Sequence, residues 1–148
     1  MDLTADMKEL KLARKVGSVV ERISIYSRYE GLKFPLTREE DLLVLETSLA
    51  KEDHFKDAVQ ELAKTGGDNN YQFVKRVLSS IIDNSLALKY SWLGRKGKKV
   101  FCTLHLARLV ISAAETANLG DSKRTTEVSI QNWLRRAFDR NHVTPKQF

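Results

Sequence analysis

The sequence is poor in the residues that build disulfide, metal and membrane proteins. Its 148 residues hold one cysteine, Cys102, together with two prolines and seven glycines. A lone cysteine cannot bridge within the chain, so no disulfide framework is expected. No apolar run approaches the ~18 residues that a membrane span requires, and the charged start from Met1 to Lys15 lacks the apolar core of a signal peptide. These absences predict a soluble, intracellular chain with no membrane partner. The length suits one domain and excludes two large ones. A domain this size buries about two thirds of its unfolded surface and needs neither bridge nor metal to fold.

Enzyme motifs are missing as well. A metal site wants three or four ligands at helix or turn spacing, and the candidates are His54, His105, His142 and Cys102. Of these only Cys102 and His105 lie close in sequence, and they read as ordinary helix residues. Cys102 as a nucleophile would need an activating base and a third group, which the chain does not offer nearby. Glu39, Glu40 and Asp41 fall in the first turn of an expected helix, where the helix dipole favours negative charge, so a structural role accounts for them. The expectation is a non-enzymatic chain with no metal, no cofactor and no small-molecule substrate.

A further absence is local. Between Asn84 and Ala114 there is no Asp or Glu, while Lys89, Arg95, Lys96, Lys98, Lys99 and Arg108 supply six positive charges. The segment before it carries a net charge of −2 and the segment after it +2, so the whole net charge of +6 equals that of this one stretch. Solvated surfaces usually mix signs, and 31 residues without an acid ask for an anionic partner.

What is present is helical periodicity nearly throughout. Leu10, Ala13, Val16, Val20 and Ile23 share one face of an amphipathic helix over residues 1–30, which either packs on the domain or pairs with another chain through Leu10, Val16, Val20 and Ile23. Gly31 to Pro35 breaks the pattern and is the expected hinge. Thr37-Arg-Glu-Glu40 matches a capping box, and Leu42, Leu45 and Leu49 carry the helix that follows. A second run with Phe55, Val59 and Leu62 continues it or restarts after Lys51, ending at Gly66-Gly67. Asp68, Asn69 or Asn70 caps the next helix, whose Val74, Val77, Leu78, Ile81 and Ile82 form the most apolar face and the expected centre of the core. After a short helix or turn from Ser85 to Trp92 comes a basic loop, Gly94-Arg-Lys-Gly97-Lys-Lys99. A helix through Leu104, Ala107, Ile111 and Ala114 stops at Gly120. Thr125 or Thr126 caps a last helix with Ile130, Trp133, Leu134, Ala137 and Phe138 inward and Arg135, Arg136 and Arg140 outward. No strand-like alternation competes with these assignments, and residues 141–148 read as a frayed tail.

The basic loop lacks the glycine spacing and the Ser or Thr of a phosphate-binding P-loop. Leu93 to Val100 resembles the Gly-x-x-Gly loop of KH domains, but such a module needs three strands and nothing flanking the loop alternates like one. Nucleic acid is nevertheless the partner the charges suit. Glycines let a backbone approach phosphates closely, and Arg95, Lys96, Lys98 and Lys99 place four cations within five residues. The alternative is that these charges are solubilising or form an import-like tract. Tyr90 and Trp92 beside the loop read as core anchors rather than stacking platforms.

The run from Val77 to Phe101, with the block from Ser91 to Lys99 at its centre, and the later Asn132-Trp-Leu-Arg-Arg136 resemble an invertebrate domain family of unknown function found in insect and transposon-related proteins. Its layout is similar to that of the BEN domain, an all-helical module that binds DNA and mediates protein contacts in chromatin regulators. The resemblance covers roughly residues 35–140. It implies a compact all-α bundle of five to six helices and duplex DNA contact by Lys89, Arg95, Lys96, Lys98, Lys99, Arg135, Arg136 and Arg140. It also implies a nuclear, chromatin-associated role in transcription regulation. The alternative function is a homo-oligomerisation or adaptor domain that binds protein partners and not nucleic acid.

Overall fold

The computed structural model describes residues 24–28, 31–119 and 121–142. Helices α1 (Glu39–Leu49), α2 (Glu52–Leu62), α3 (Asn70–Ile81) and α4 (Asn84–Ala87) lead into strands β1 (Tyr90–Ser91) and β2 (Lys99–Val100). Helices α5 (His105–Ala117), α6 (Lys123–Arg135) and α7 (Ala137–His142) follow. The all-α bundle holds, with five helices of 11 to 13 residues and two short ones among the described residues. The two-residue strands are an addition that no sequence alternation announced. The candidate pairing residues Leu10, Val16, Val20 and Ile23 lie outside the described residues.

Helix α3 sits at the centre, as its apolar stripe predicts. Phe73, Val74, Val77, Leu78 and Ile81 have no accessible surface. It packs mainly against α6, while α2 packs against α5 and α4 against α7. The start of α3 is capped by Asn69, whose side chain accepts from the Gln72 amide at 2.9 Å. One buried polar cluster fixes α6 on α3. Asn70 Nδ2 donates to Thr126 Oγ1 at 2.9 Å, and Ser129 Oγ donates to Asn70 Oδ1 at 2.6 Å. Such bonds contribute about 1 kcal/mol each, and breaking one leaves a buried group unsatisfied, so the cluster sets the register between the two helices. Thr126 is thus a buried network residue, and the cap of α6 is Ser122, which accepts from the Thr125 amide at 3.2 Å.

Three other local expectations are corrected. The capping box at Thr37 does not form: Arg38 is the N-cap, without a side-chain cap, and pairs with Asp41 at 3.2 Å. Helix α5 ends before Gly120, at Asn118, which takes the left-handed conformation with φ 56°. Residues 31–36 do break the helical pattern, yet they are pinned to the body rather than free to hinge. The Leu36 amide donates to the Ile81 carbonyl at 2.7 Å, the Leu36 carbonyl accepts from Asp83 at 2.9 Å, and the Leu36 side chain is fully buried. Phe34 meets Tyr26 edge to face at 5.1 Å. The packed body also reaches upstream of Pro35. Ile25 is buried, and Glu61 accepts from the Ser24 hydroxyl at 2.7 Å and the Ile25 amide at 2.8 Å.

Helix α1 places two carboxylates against the basic segment. Glu46 accepts from the His105 amide and the Leu106 amide, both at 2.8 Å, and so caps the N-terminus of α5 from another helix. Glu39, two turns earlier, reaches the base of the basic loop.

Candidate functional site

The loop is held by a small parallel ladder. Lys99 donates its amide to the Lys89 carbonyl at 2.8 Å, Phe101 to Ser91 at 2.8 Å and Cys102 to Trp92 at 3.1 Å. Parallel strands ordinarily need a crossover of about a dozen residues or more. Here residues 92–98 suffice, because left-handed backbone turns the chain sharply. Gly94 has φ 78°, and a Cβ there would lie 2.6 Å from Val100 Cγ2. Arg95 to Lys98 form a turn closed by a 3.1 Å amide-to-carbonyl bond, with φ 59° at Lys96 and 77° at Gly97. Positive φ at both central residues defines a type I′ turn, which favours Asn-Gly. The loop therefore runs between two paired strands, an arrangement the KH-type loop does not share.

Lysine in that conformation is strained by roughly 1 kcal/mol. Lys96→Asn, which tolerates left-handed backbone, should raise the urea midpoint by an amount corresponding to about 0.5–1 kcal/mol. An unchanged or lower midpoint would show that Lys96 carries no such strain.

The fold divides the eight expected contact residues. Lys89 and Lys99 face Glu39 at 3.7 and 2.8 Å. The hydrogen bond from Lys99 holds the Glu39 carboxyl below the usual carboxylate range, and the same bond raises the Lys99 ammonium. Arg140 is not on an outer face. Its guanidinium lies 4.2 Å from the Trp133 ring centroid and donates to Asn84 Oδ1 at 2.8 Å and to the Trp133 carbonyl at 2.9 Å. Burial lowers its pKa, consistent with a structural tie between α7 and α4. The reason is a break at Arg136: α6 ends there, Arg136 leaves the helical conformation, α7 starts at Ala137, and Phe138, expected inward, is 57% exposed. Asn141 and His142, expected in the frayed tail, belong to α7. Arg136 is exposed and stacks over Tyr71 at 5.4 Å. Arg108, also in the acid-free stretch, stacks over Phe55 at 5.4 Å.

Arg95, Lys96 and Lys98 remain, and among the described residues none has an acidic partner. They meet Arg135 of α6 around a cleft of about 480 Å³ between the loop and that helix. The other lining is Gln131, the buried Tyr90 and Leu134, the half-buried Ser91 and Trp92, and Leu93, which is 55% exposed. Among the described residues no acidic one lines it. Tyr90 is the core anchor expected of it, edge to face with Phe101 at 6.0 Å. Trp92 both packs on the core and borders the cleft. Sequence reasoning missed Gln131, Leu93 and Leu134 as cleft residues. The spacing of Gln131 and Arg135 marks a shared helix face, but nothing local says that this face meets the loop.

Among the described residues no group of three or more His, Cys, Asp or Glu could hold a metal ion, and no helix is long and apolar enough to cross a membrane. The model of one family, Domain of unknown function (DUF4806), matches residues 28–113, more than half of the chain. No curated protein and no solved structure matches.

Proposed function

We propose that this chain, which belongs to the family of the domain of unknown function DUF4806, is a non-enzymatic DNA-binding module of the nucleus. Its role would be chromatin-associated, as the resemblance of the sequence to the BEN domain implies. The observation that carries the reading is the convergence of Arg95, Lys96 and Lys98 with Arg135 on one acid-free cleft. Charges that were merely solubilising would have no reason to collect from two distant segments onto one face. Four uncompensated cations on one face suit a phosphodiester backbone, because each neutralised phosphate releases counterions. Arg136, the next residue, does not line the cleft and is stacked over Tyr71 instead.

Titration with duplex DNA at several salt concentrations tests this. Four phosphate contacts give a log–log slope of about −3.6, and a slope near zero would sink the proposal.

Glu39 works against binding, since it already offsets Lys89 and Lys99. Glu39→Gln is expected to tighten duplex binding several-fold and to steepen the salt slope by about one contact. Lowering the pH acts in the same direction. The carboxyl is depressed by Lys99, so the ion pair is fully present above the ordinary carboxylate pKa and is lost as pH falls through the lowered value. An unchanged affinity in Glu39→Gln would place Lys89 and Lys99 outside the contact surface.

A second reading, an adaptor domain that binds protein, is favoured by Leu43 and Val44. They are 66% and 44% exposed side by side on α1. It becomes the leading one if DNA titration shows no salt slope.

A further inference from the structure

Cations are all that a duplex backbone requires, yet the cleft is also concave and partly apolar. Leu93, 55% exposed, lines it together with its neighbour Trp92 and the buried Leu134, and the cleft has an open volume of about 480 Å³. That volume lies within the roughly 300–1,000 Å³ of sites that enclose small ligands, and the mix of apolar lining with a few charged groups is the usual one. A phosphate ridge would touch the rim and leave the apolar interior in water. A base stacked and paired within a duplex cannot enter. An unpaired base still attached to its phosphate satisfies both parts, because its flat face suits Trp92 and Leu93 while its phosphate suits the rim.

We infer that the cleft receives one unpaired nucleotide of the bound nucleic acid, its base against Trp92 and Leu93 and its phosphate among Arg95, Lys96, Lys98 and Arg135. The inference rests on the DNA-binding reading and adds a preference for single-stranded ends or junctions. The left-handed turn at Lys96 and Gly97 carries the cations, and the bond from the Cys102 amide to the Trp92 carbonyl anchors the backbone beside the aromatic ring.

The test compares three ligands at matched salt: a blunt duplex, a duplex of equal phosphate count with a short single-stranded extension, and a free nucleoside 5′-monophosphate. The extended duplex should bind about tenfold tighter than the blunt one, the gain expected of one base on an aromatic surface. Tryptophan fluorescence should change with the extension only, since Trp133 is buried away from ligand. Leu93→Ala and Trp92→Ala should each reduce the gain to less than about threefold. Two variants are needed because Trp92 also packs on the core. Equal affinity for the two duplexes, with the salt slope intact, overturns the inference and leaves DNA binding standing. A gain that survives in both variants overturns it as well. Tighter binding of the free monophosphate than of either duplex would replace nucleic acid by a small nucleotide. Absence of binding by all three sinks both readings.

Discussion

Joint replacement of Arg95, Lys96, Lys98 and Arg135 by alanine is expected to lower duplex affinity by about two to three orders of magnitude near 0.1 M salt. The same change should remove most of the salt slope, because each lost phosphate contact returns about 0.9 counterion. The fold should survive it. All four side chains are exposed, and among the described residues only that of Arg135 makes an intramolecular hydrogen bond, to Asn132 at 3.0 Å. Circular dichroism and the urea midpoint check that point. Removing Lys89 and Lys99 instead should cost much less, because Glu39 already screens them. The contrast is what identifies the cleft. Equal losses from both sets would mean that general positive charge, and not this face, holds the DNA.

The largest single-residue effect on stability is expected from Trp133→Ala, at roughly 3 to 5 kcal/mol. Trp133 is 1% exposed at the junction of α6 with the core, so truncation leaves a large cavity that the helices can only partly close. It also removes the ring beneath the Arg140 guanidinium, 4.2 Å away, and loosens α7. Urea unfolding with an unchanged m-value measures the loss. A change below about 1 kcal/mol would show that Trp133 is not the anchor. Trp133→Phe should cost less, since it keeps an aromatic ring in the site. The indole N–H has no partner among the described residues, so removing it orphans none of them.

Much of the helical framework is legible in the sequence. The stripe Val74, Val77, Leu78, Ile81 and Ile82 marks the central helix, Asn69 marks its start, and Gly66 and Gly67 mark the turn before it. Each signal acts over one or two turns, where backbone preference and side-chain spacing decide the outcome. Misreadings cluster where tertiary contacts override local chemistry. Thr126 looks like a cap but bonds to Asn70 in the core. The basic loop shows no strand pattern, yet its ends pair across residues 92–98. The last helix has an unbroken apolar period from Ile130 to Phe138 and still divides at Arg136, which carries Arg140 inward onto Trp133 and leaves Phe138 exposed.

The sequence by itself determined that the chain is helical, where its core helix lies and that its net charge is confined to one glycine-bracketed segment. All three depend on composition and short-range spacing. Only the tertiary structure decided which of those charges stay uncompensated. Glu39 comes from far upstream to offset Lys89 and Lys99, and Arg135 comes from far downstream to join Arg95, Lys96 and Lys98. Electrostatic interaction depends on separation in space and on the medium between the charges. The acid-free stretch of the sequence is therefore not acid-free in the fold, and the cleft that is acid-free draws on two segments that the sequence keeps apart.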